Sequence, residues 1–168
     1  MPNLSSNGKL TKAFTLIEIL IAISIMGLVF GVGYASFRGF SRRQSLISFA
    51  RKIKGDLSLA RQKAMAGEKP ESLSCNSPNT LSGYNFRLVS NTNYVLEAVC
   101  SGGIVAVEGK DIDAPGGVSM SYPSPNPIVF KVLGSGTNIV SSDAQITLTQ
   151  TGTGNTISVY VTKGGEIK

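Results

Sequence analysis

The sequence carries few residues that could do catalytic or metal chemistry. It has no histidine and only two cysteines among its 168 residues. Histidine is the common general base and the commonest metal ligand, so its absence weighs against hydrolases and zinc sites. Cys75 and Cys100 are too few for a metal cage and too far apart for a C-x-x-C redox motif. We therefore expect a protein that is not an enzyme and that uses no metal or cofactor.

The two cysteines have a simpler structural use. Outside the cytoplasm, an even pair most simply forms one disulfide, here between Cys75 and Cys100. Closing a loop of about 25 residues would stabilise the fold by roughly 3 kcal/mol. Two free buried thiols are the alternative.

Three acids cluster in the segment EGKDID, at Glu108, Asp111 and Asp113. They could suggest a calcium site or a pair of catalytic carboxyl groups. Their spacing fits no EF-hand, however, and the turn-forming run APGG follows directly. We predict an exposed loop at these residues and no metal site.

A fourth acid, Glu18, is the only charged residue in the apolar stretch from Phe14 to Phe37. As a helix these residues would extend about 36 Å, enough to cross a bilayer. The run TLIE fits a capping box with Thr15 as the N-cap, and Phe14 and Ile19 are spaced for a hydrophobic staple. The capping box accounts for a helix start but not for an acid within an apolar segment.

Two general interpretations of this segment remain open. It could be a secretory signal cut after Ala35, with Lys9 and Lys12 as its basic region, although its apolar part exceeds the usual ~7–15 residues. It could also be a plain single-pass anchor. In that case the basic residues that follow it outnumber the two leader lysines and would favour the opposite orientation.

The segment KAFTLIEILIAISIMGLVF closely resembles the N-terminus of type IV pilins and of the pseudopilins of type II secretion systems. In that family a prepilin peptidase removes a short basic leader immediately before an F-T-L-I-E run, on the cytoplasmic side of the membrane. The same enzyme then methylates the new terminal amine. The resemblance implies cleavage between Ala13 and Phe14 of this sequence, where Ala13 replaces the glycine that is usual in the family.

The resemblance also implies a role for Glu18 in assembly. Cleavage would create an ammonium at Phe14, and pairing it with Glu18 of a neighbouring subunit would offset the ~2.5–3.5 kcal/mol cost of a charge in hydrocarbon. Gly27 and Gly31 form a G-x-x-x-G pattern, which allows close packing of helices in lipid. We predict that Glu18, Gly27 and Gly31 are assembly residues.

The residues beyond this segment predict that one long helix continues to Met65. Its second half has an apolar seam whose members recur every three or four residues: Leu46, Ala50, Ile53, Leu57, Ala60 and Ala64. Gly67 and Pro70 predict where the helix stops. The stretch ISFARKIKGDLSLARQKAMAGE also resembles the helix of the GspH/FimT group of minor pilins and pseudopilins.

Basic residues flank the seam. Residues 38–63 hold eight of them against one acid, Asp56. Arg43, Lys54 and Arg61 fall on one side of the predicted helix. They could form a solvated flank, contact anionic lipid headgroups, or contact DNA phosphates, since some FimT-like minor pilins are DNA-uptake factors.

After Pro70 the apolar pattern changes to period two, which is typical of short strands between polar turns. Seven segments fit: YNFRLV, NYVLEAV, GIVAVE, GVSMSY, PIVFKVL, AQITLT and TISVYVT. The last two flank GTGN and predict a hairpin with a shared buried face. The predicted fold class is α+β, a pilin lollipop in which a long N-terminal helix, its first half transmembrane, packs on a C-terminal antiparallel β-sheet domain.

The sequence therefore predicts four parts: a leader (1–13), a transmembrane half-helix (14–37), an amphipathic half-helix (38–68) and a β-rich head (69–168). The predicted function is that of a minor pilin or pseudopilin in a type II secretion system or type IV pilus. The alternative is a FimT-like subunit that binds DNA during natural transformation. The expected partners are other pilin subunits, the prepilin peptidase, the inner-membrane assembly platform and membrane lipid. The expected location is the inner membrane, with a periplasmic or extracellular head that joins a filament.

Overall fold

A computed structural model describes residues 14–168, except for the side chains of residues 32–36. The chain divides into two compact units, Met1–Gly39 and Phe40–Lys168. The predicted leader, and with it Ala13, lies outside the described residues.

One helix, α1 (Leu16–Ala66), contains 51 residues and confirms the predicted long helix. At its start the hydroxyl oxygen of Thr15 accepts a hydrogen bond from the backbone N–H of Glu18, with 3.3 Å between the two atoms. This bond satisfies one of the four N–H groups that lack a partner in the first turn. Thr15 is therefore the N-cap, as the capping-box pattern predicted.

At its other end, α1 ends at Ala66, directly before Gly67, as predicted. Gly67 has a φ of +64°, a left-handed conformation that favours glycine. Its N–H donates to the carbonyl of Ala64, and the N–H of Glu68 donates to the carbonyl of Lys63, each at 3.1 Å. These are the two hydrogen bonds of a Schellman motif. An ion pair between the side chains of Lys63 and Glu68 spans the same turn.

In the first unit of the chain, α1 exposes apolar side chains on every side of the helix. Leu16 is 79% exposed, and neighbours such as Ile17, Leu20 and Ile21 are all more than half exposed. Among the described residues, no helical segment combines the length and the mean hydropathy needed to cross a bilayer.

In the second unit, α1 is followed by seven strands at the seven predicted places. They are β1 (Leu81–Leu88), β2 (Asn93–Cys100), β3 (Gly103–Asp113), β4 (Val118–Met120), β5 (Ile128–Lys131), β6 (Ala144–Gln150) and β7 (Thr156–Val161), with a short 3-10 turn (Val132–Gly134) after β5. All paired strands are antiparallel. They form a four-stranded sheet in the order β3-β2-β1-β5 and a three-stranded sheet in the order β4-β6-β7.

The core joins the seam of α1 to the inner faces of both sheets. All six predicted seam residues are at most 5% exposed, which confirms the seam. Tyr84, Phe86 and Tyr94 cover it from β1 and β2, and the rings of Phe86 and Tyr94 stack at 4.8 Å between centroids. The predicted α+β fold, a long helix packed on an antiparallel β-sheet domain, is confirmed.

The predicted hairpin of β6 and β7 is also present. Ile146 lies opposite Val159, and Leu148 lies opposite Ile157. Ile146, Leu148, Val159 and Val161 are fully buried, and Ile157 is half-buried against the same core. The expected shared face is therefore confirmed.

The prediction of an exposed loop at EGKDID is wrong. Strand β3 continues through these residues to Asp113, with a break in its pairing to β2 between Val95 and Glu97. Gly109 lies at this irregularity with a φ of +66°. Between Val95 and Glu97 β2 has one residue, whereas β3 has four between their partners Asp111 and Ala106. β3 therefore carries three extra residues, and because this number is odd, the side chains beyond it alternate in the opposite phase. Lys110 and Ile112 consequently turn towards the core, and the acids remain exposed.

Cys75 and Cys100 form the predicted disulfide, with their Cα atoms 5.3 Å apart. The bond links the irregular segment after α1 to the end of β2. Backbone hydrogen bonds hold the same segment, including those from the N–H groups of Cys75 and Asn76 to the carbonyl of Ser72. The alternative of two free thiols is therefore excluded.

Candidate functional site

Phe14 and Glu18 lie about one helical turn apart at the start of α1. Both are exposed, and they line an open apolar groove of about 240 Å³ together with Ile19, Ala22, Ile23 and Met26. Within residues 14–168, no ion pair engages the Glu18 carboxylate. The groove therefore places an unpaired acid at the edge of an apolar surface.

Gly27 and Gly31 lie one turn apart further along the same helix. A methyl group added at either position would meet nothing within 4 Å. The chain's own packing therefore gives no reason for glycine at these positions. Their predicted role in helix packing between subunits remains a prediction.

The three predicted contact cations lie on one side of α1 but in different surroundings. Arg43 lines a hollow with Ile47 and the start of β7. Arg61 lines a small pocket of about 80 Å³ with Lys131 and four glycines, Gly134, Gly136, Gly164 and Gly165. No ion pair within the described residues engages Arg43, Lys54 or Arg61. These cations are therefore available to an anionic partner, although the structure does not gather them into one site.

A buried polar network joins α1 to the four-stranded sheet. The carboxylate of Asp56 accepts a hydrogen bond from the Tyr94 hydroxyl at 2.5 Å and forms an ion pair with the Lys110 ammonium at 2.6 Å. Asp56 is only 5% exposed and Tyr94 is fully buried. Burial, and then the hydrogen bond to the Asp56 carboxylate, raise the pKa of the Tyr94 phenol well above its ordinary value. The network therefore holds Tyr94 in its protonated form.

Sequence reasoning missed this network, although a signal for it exists. Asp56 is the single acid within residues 38–63, and it directly precedes the seam residue Leu57. An acid at the margin of a buried stripe needs a partner, since burying a lone carboxylate is costly. Its partners could not be identified, because Lys110 reaches it only through the irregularity at Gly109.

A second ion pair lies on the outer side of the four-stranded sheet, away from α1. The guanidinium of Arg87 donates two hydrogen bonds to the carboxylate of Glu97, at 3.1 and 2.5 Å. These hydrogen bonds raise the pKa of the Arg87 guanidinium above its ordinary value. Asn85 lies opposite Glu97 in the register, and its buried side-chain oxygen accepts no hydrogen bond from the described residues.

The acids of β3 do not assemble a metal site. The side-chain amide of Asn93 donates to Asp111 at 2.8 Å and to Asp113 at 3.0 Å. Over the described part of the chain, no group of three or more potential ligands could hold a metal ion. Asp111, Asp113 and Glu108 form an exposed acidic row instead.

Comparison with known proteins adds one finding at the N-terminus. Residues 9–34 match the prokaryotic N-terminal methylation motif, a range that includes Ala13, Phe14, Glu18, Gly27 and Gly31. The chain has no significant match among curated proteins or among solved structures. The motif is a leader of the type IV pilin kind, and it indicates a pilin-like or pseudopilin-type structural subunit.

Proposed function

We propose that this chain is a minor pilin or pseudopilin, a subunit of a type II secretion system or of a type IV pilus. The methylation motif at residues 9–34 is the observation that carries the proposal. In this proposal, residues 14–37 anchor the chain in the inner membrane with the β-rich head outside the cytoplasm. A prepilin peptidase cuts between Ala13 and Phe14 and methylates the new amine. The inner-membrane assembly platform then moves the subunit into a filament.

The start of α1 supports this assignment. Its apolar side chains are exposed on every side, and α1 therefore has an apolar surface that lipid or other helices could cover. Glu18 lies on this surface without an ion pair from the described residues. A terminal ammonium on a neighbouring subunit would supply the missing cation, and it would exist only after cleavage.

Gly27 and Gly31 fit the same assembly. Their open positions would let a neighbouring helix approach the backbone of α1 closely. Packing of helices in lipid depends on such close contact, because lipid chains are as apolar as the side chains that they replace.

Mass spectrometry of the mature chain tests the proposal directly. We expect a polypeptide that begins at Phe14 and carries the added mass of one methyl group. Replacing Ala13 with Gly, the usual family residue, should preserve processing, whereas a bulky charged residue there should leave the leader attached. A mature chain that begins at Ser36 would instead establish a secretory signal cut after Ala35 and would overturn the proposal.

DNA binding is a second candidate function, because Arg43, Lys54 and Arg61 are not engaged by ion pairs in the described structure. Binding to phosphates would weaken steeply with salt, as counterions are released from the DNA. We would measure duplex binding by the full chain in detergent at several salt concentrations. The triple variant Arg43→Ala/Lys54→Ala/Arg61→Ala should lose the salt-dependent affinity, and Lys163→Ala should keep it. Equal affinities would exclude this function.

A further inference from the structure

The second unit exposes opposite charges on its two sides. On α1, Arg51 and Lys52 are exposed beside Ser48 and Gly55, on the side turned away from the seam. We call these four residues the basic helix face. On β3, the exposed side chains are those of Ile104, Ala106, Glu108, Asp111 and Asp113, which we call the acidic strand face.

The two faces point away from each other. The inner side of the four-stranded sheet covers the seam of α1, where Tyr94 contacts both Phe49 and Asp56. Side chains alternate between the two sides of a strand, so Asp111 and Asp113 lie on the outer side when Lys110 and Ile112 face inward. The basic helix face lies on the far side of α1. Neither face can therefore neutralise the other within one chain.

We propose that the basic helix face of one copy docks on the acidic strand face of a second copy. Complementary patches on opposite sides of a molecule form a heterologous, head-to-tail contact. Such a contact leaves one face free at each end of a pair and adds further copies until a ring closes or a filament extends. The inference rests on the proposed function, because it assigns a contact between the β-rich heads of neighbouring subunits in the filament.

One further observation favours a docked copy. Gly55 lies exposed in the middle of a helix, where alanine would be more stable, and nothing in the described structure lies within 4 Å of a methyl group placed there. Close approach by another backbone would explain this glycine.

The edge position of β3 suits such a contact. β3 is the outermost strand of the four-stranded sheet, and the side chain of Ile104 is 62% exposed. The acidic strand face therefore combines carboxylates with apolar area, as subunit contacts commonly do. Duplex DNA would be drawn to the basic helix face but repelled by the acidic strand face, so a second copy fits both faces better.

Charge reversal in the full chain tests this contact. We would measure self-association in detergent by sedimentation. Arg51→Glu/Lys52→Glu and Asp111→Lys/Asp113→Lys should each weaken association about tenfold or more, because like charges would then face each other. Combining all four changes should restore association to within about threefold of the unaltered chain, since the charges are again complementary.

Matched controls separate the contact from general charge effects. Asp143→Lys and Lys163→Glu change exposed charges outside both faces and should alter association less than about twofold. Should the reversed strand fold poorly, Asp111→Asn/Asp113→Asn removes the charge with a smaller change and should still weaken association severalfold.

Three outcomes would overturn the inference. The unaltered chain could stay monomeric, the charge reversals could leave association unchanged, or the variant with all four changes could fail to recover association. If Arg51→Glu/Lys52→Glu lost DNA binding but kept its self-association, the basic helix face would be assigned to nucleic acid instead. None of these results affects the proposed function, which is read separately from the mature terminus at Phe14.

Discussion

Asp56 shows what a buried charge requires at the residue scale. Removing a carboxylate from water is costly unless hydrogen bonds and an opposite charge replace the lost hydration. Tyr94 and Lys110 supply these from two different strands, at 2.5 and 2.6 Å. The network therefore fixes where α1 sits on the sheet, since only one placement brings the three groups together.

We expect Asp56→Ala to lower the free energy of unfolding by about 3 kcal/mol, because it leaves a buried phenol and a half-buried ammonium without their shared acceptor. Tyr94→Phe should cost about 1.5–3 kcal/mol, the usual contribution of a hydrogen bond to a charged group. Urea denaturation measures both. The exposed Asp143→Asn is the matched control and should stay within about 0.5 kcal/mol of the original chain.

Stability should also fall at alkaline pH. Burial and Asp56 raise the pKa of Tyr94 above its ordinary value of 10.0. The unfolded chain therefore releases the phenolic proton at a lower pH than the folded chain, and the stability present below pH 10.0 is lost as pH rises above it. The decrease should reach at most about 1.4 kcal/mol per pH unit for this group. Tyr94→Phe should flatten the slope, and an unchanged slope would contradict this account.

Glu18 can be tested by removing only its charge. We expect Glu18→Gln to preserve membrane association and leader cleavage, because the apolar segment and the cut are unchanged. Assembly into filaments should fall at least about tenfold, because the terminal amine of the neighbour loses its counter-charge in an apolar setting. Sheared filaments can be quantified by immunoblot. Glu71→Gln removes an exposed acid in the second unit and should assemble normally.

At the scale of elements, two glycines of α1 should respond oppositely to alanine. Gly67 ends the helix at a φ of +64°, so Gly67→Ala should lower the free energy of unfolding by about 1 kcal/mol. Gly55 lies within the helix and is exposed, so Gly55→Ala should raise it by about 0.5–1 kcal/mol. Thermal unfolding of the two variants provides the comparison. Stabilisation by Gly67→Ala would show that this helix end is not held as described.

The elements that sequence predicted best are those defined by local periodicity. The seam of α1 repeats every three or four residues, and the hairpin of β6 and β7 alternates on both sides of a short turn. Both were confirmed. The C-terminal part of β3 was missed, because the extra residues around Gly109 break the period-two pattern and make a strand look like a polar loop. The strand order within two sheets was also beyond reach, since contacts distant in sequence decide it.

The residues of the candidate site also differ in how far the sequence could predict them. The methylation motif is continuous in sequence, so its residues could be named directly. Arg43, Lys54 and Arg61 could be placed on one side of a helix. The separate hollows that hold Arg43 and Arg61 could not be predicted, because residues of β5, β7 and the chain around Gly164 create them. Lys110 could not be recognised as the partner of Asp56, because 54 residues separate them.

At the scale of the whole molecule, the disulfide closes the longest irregular segment of the described residues onto the sheet. It links positions 25 residues apart. We expect the double variant Cys75→Ala/Cys100→Ala to unfold with a free energy lower by about 3 kcal/mol, mainly because the unfolded chain regains the freedom of this loop. Reducing the disulfide of the unaltered chain should likewise lower the urea concentration at the midpoint of unfolding. An unchanged midpoint would contradict a stabilising role.

The position at which α1 begins has a consequence for the order of events. Helix N-termini carry a partial positive charge, and α1 starts at Leu16, two residues after the proposed cut. Proteolysis before Phe14 would add a full positive charge at this same point, and Glu18 in the first turn is the nearest compensating group. Because cleavage cannot be reversed, it would fix this order. A precursor would lack the terminal ammonium, whereas a mature subunit would carry both this ammonium and the Glu18 carboxylate, and each could pair with the opposite charge of a neighbouring subunit.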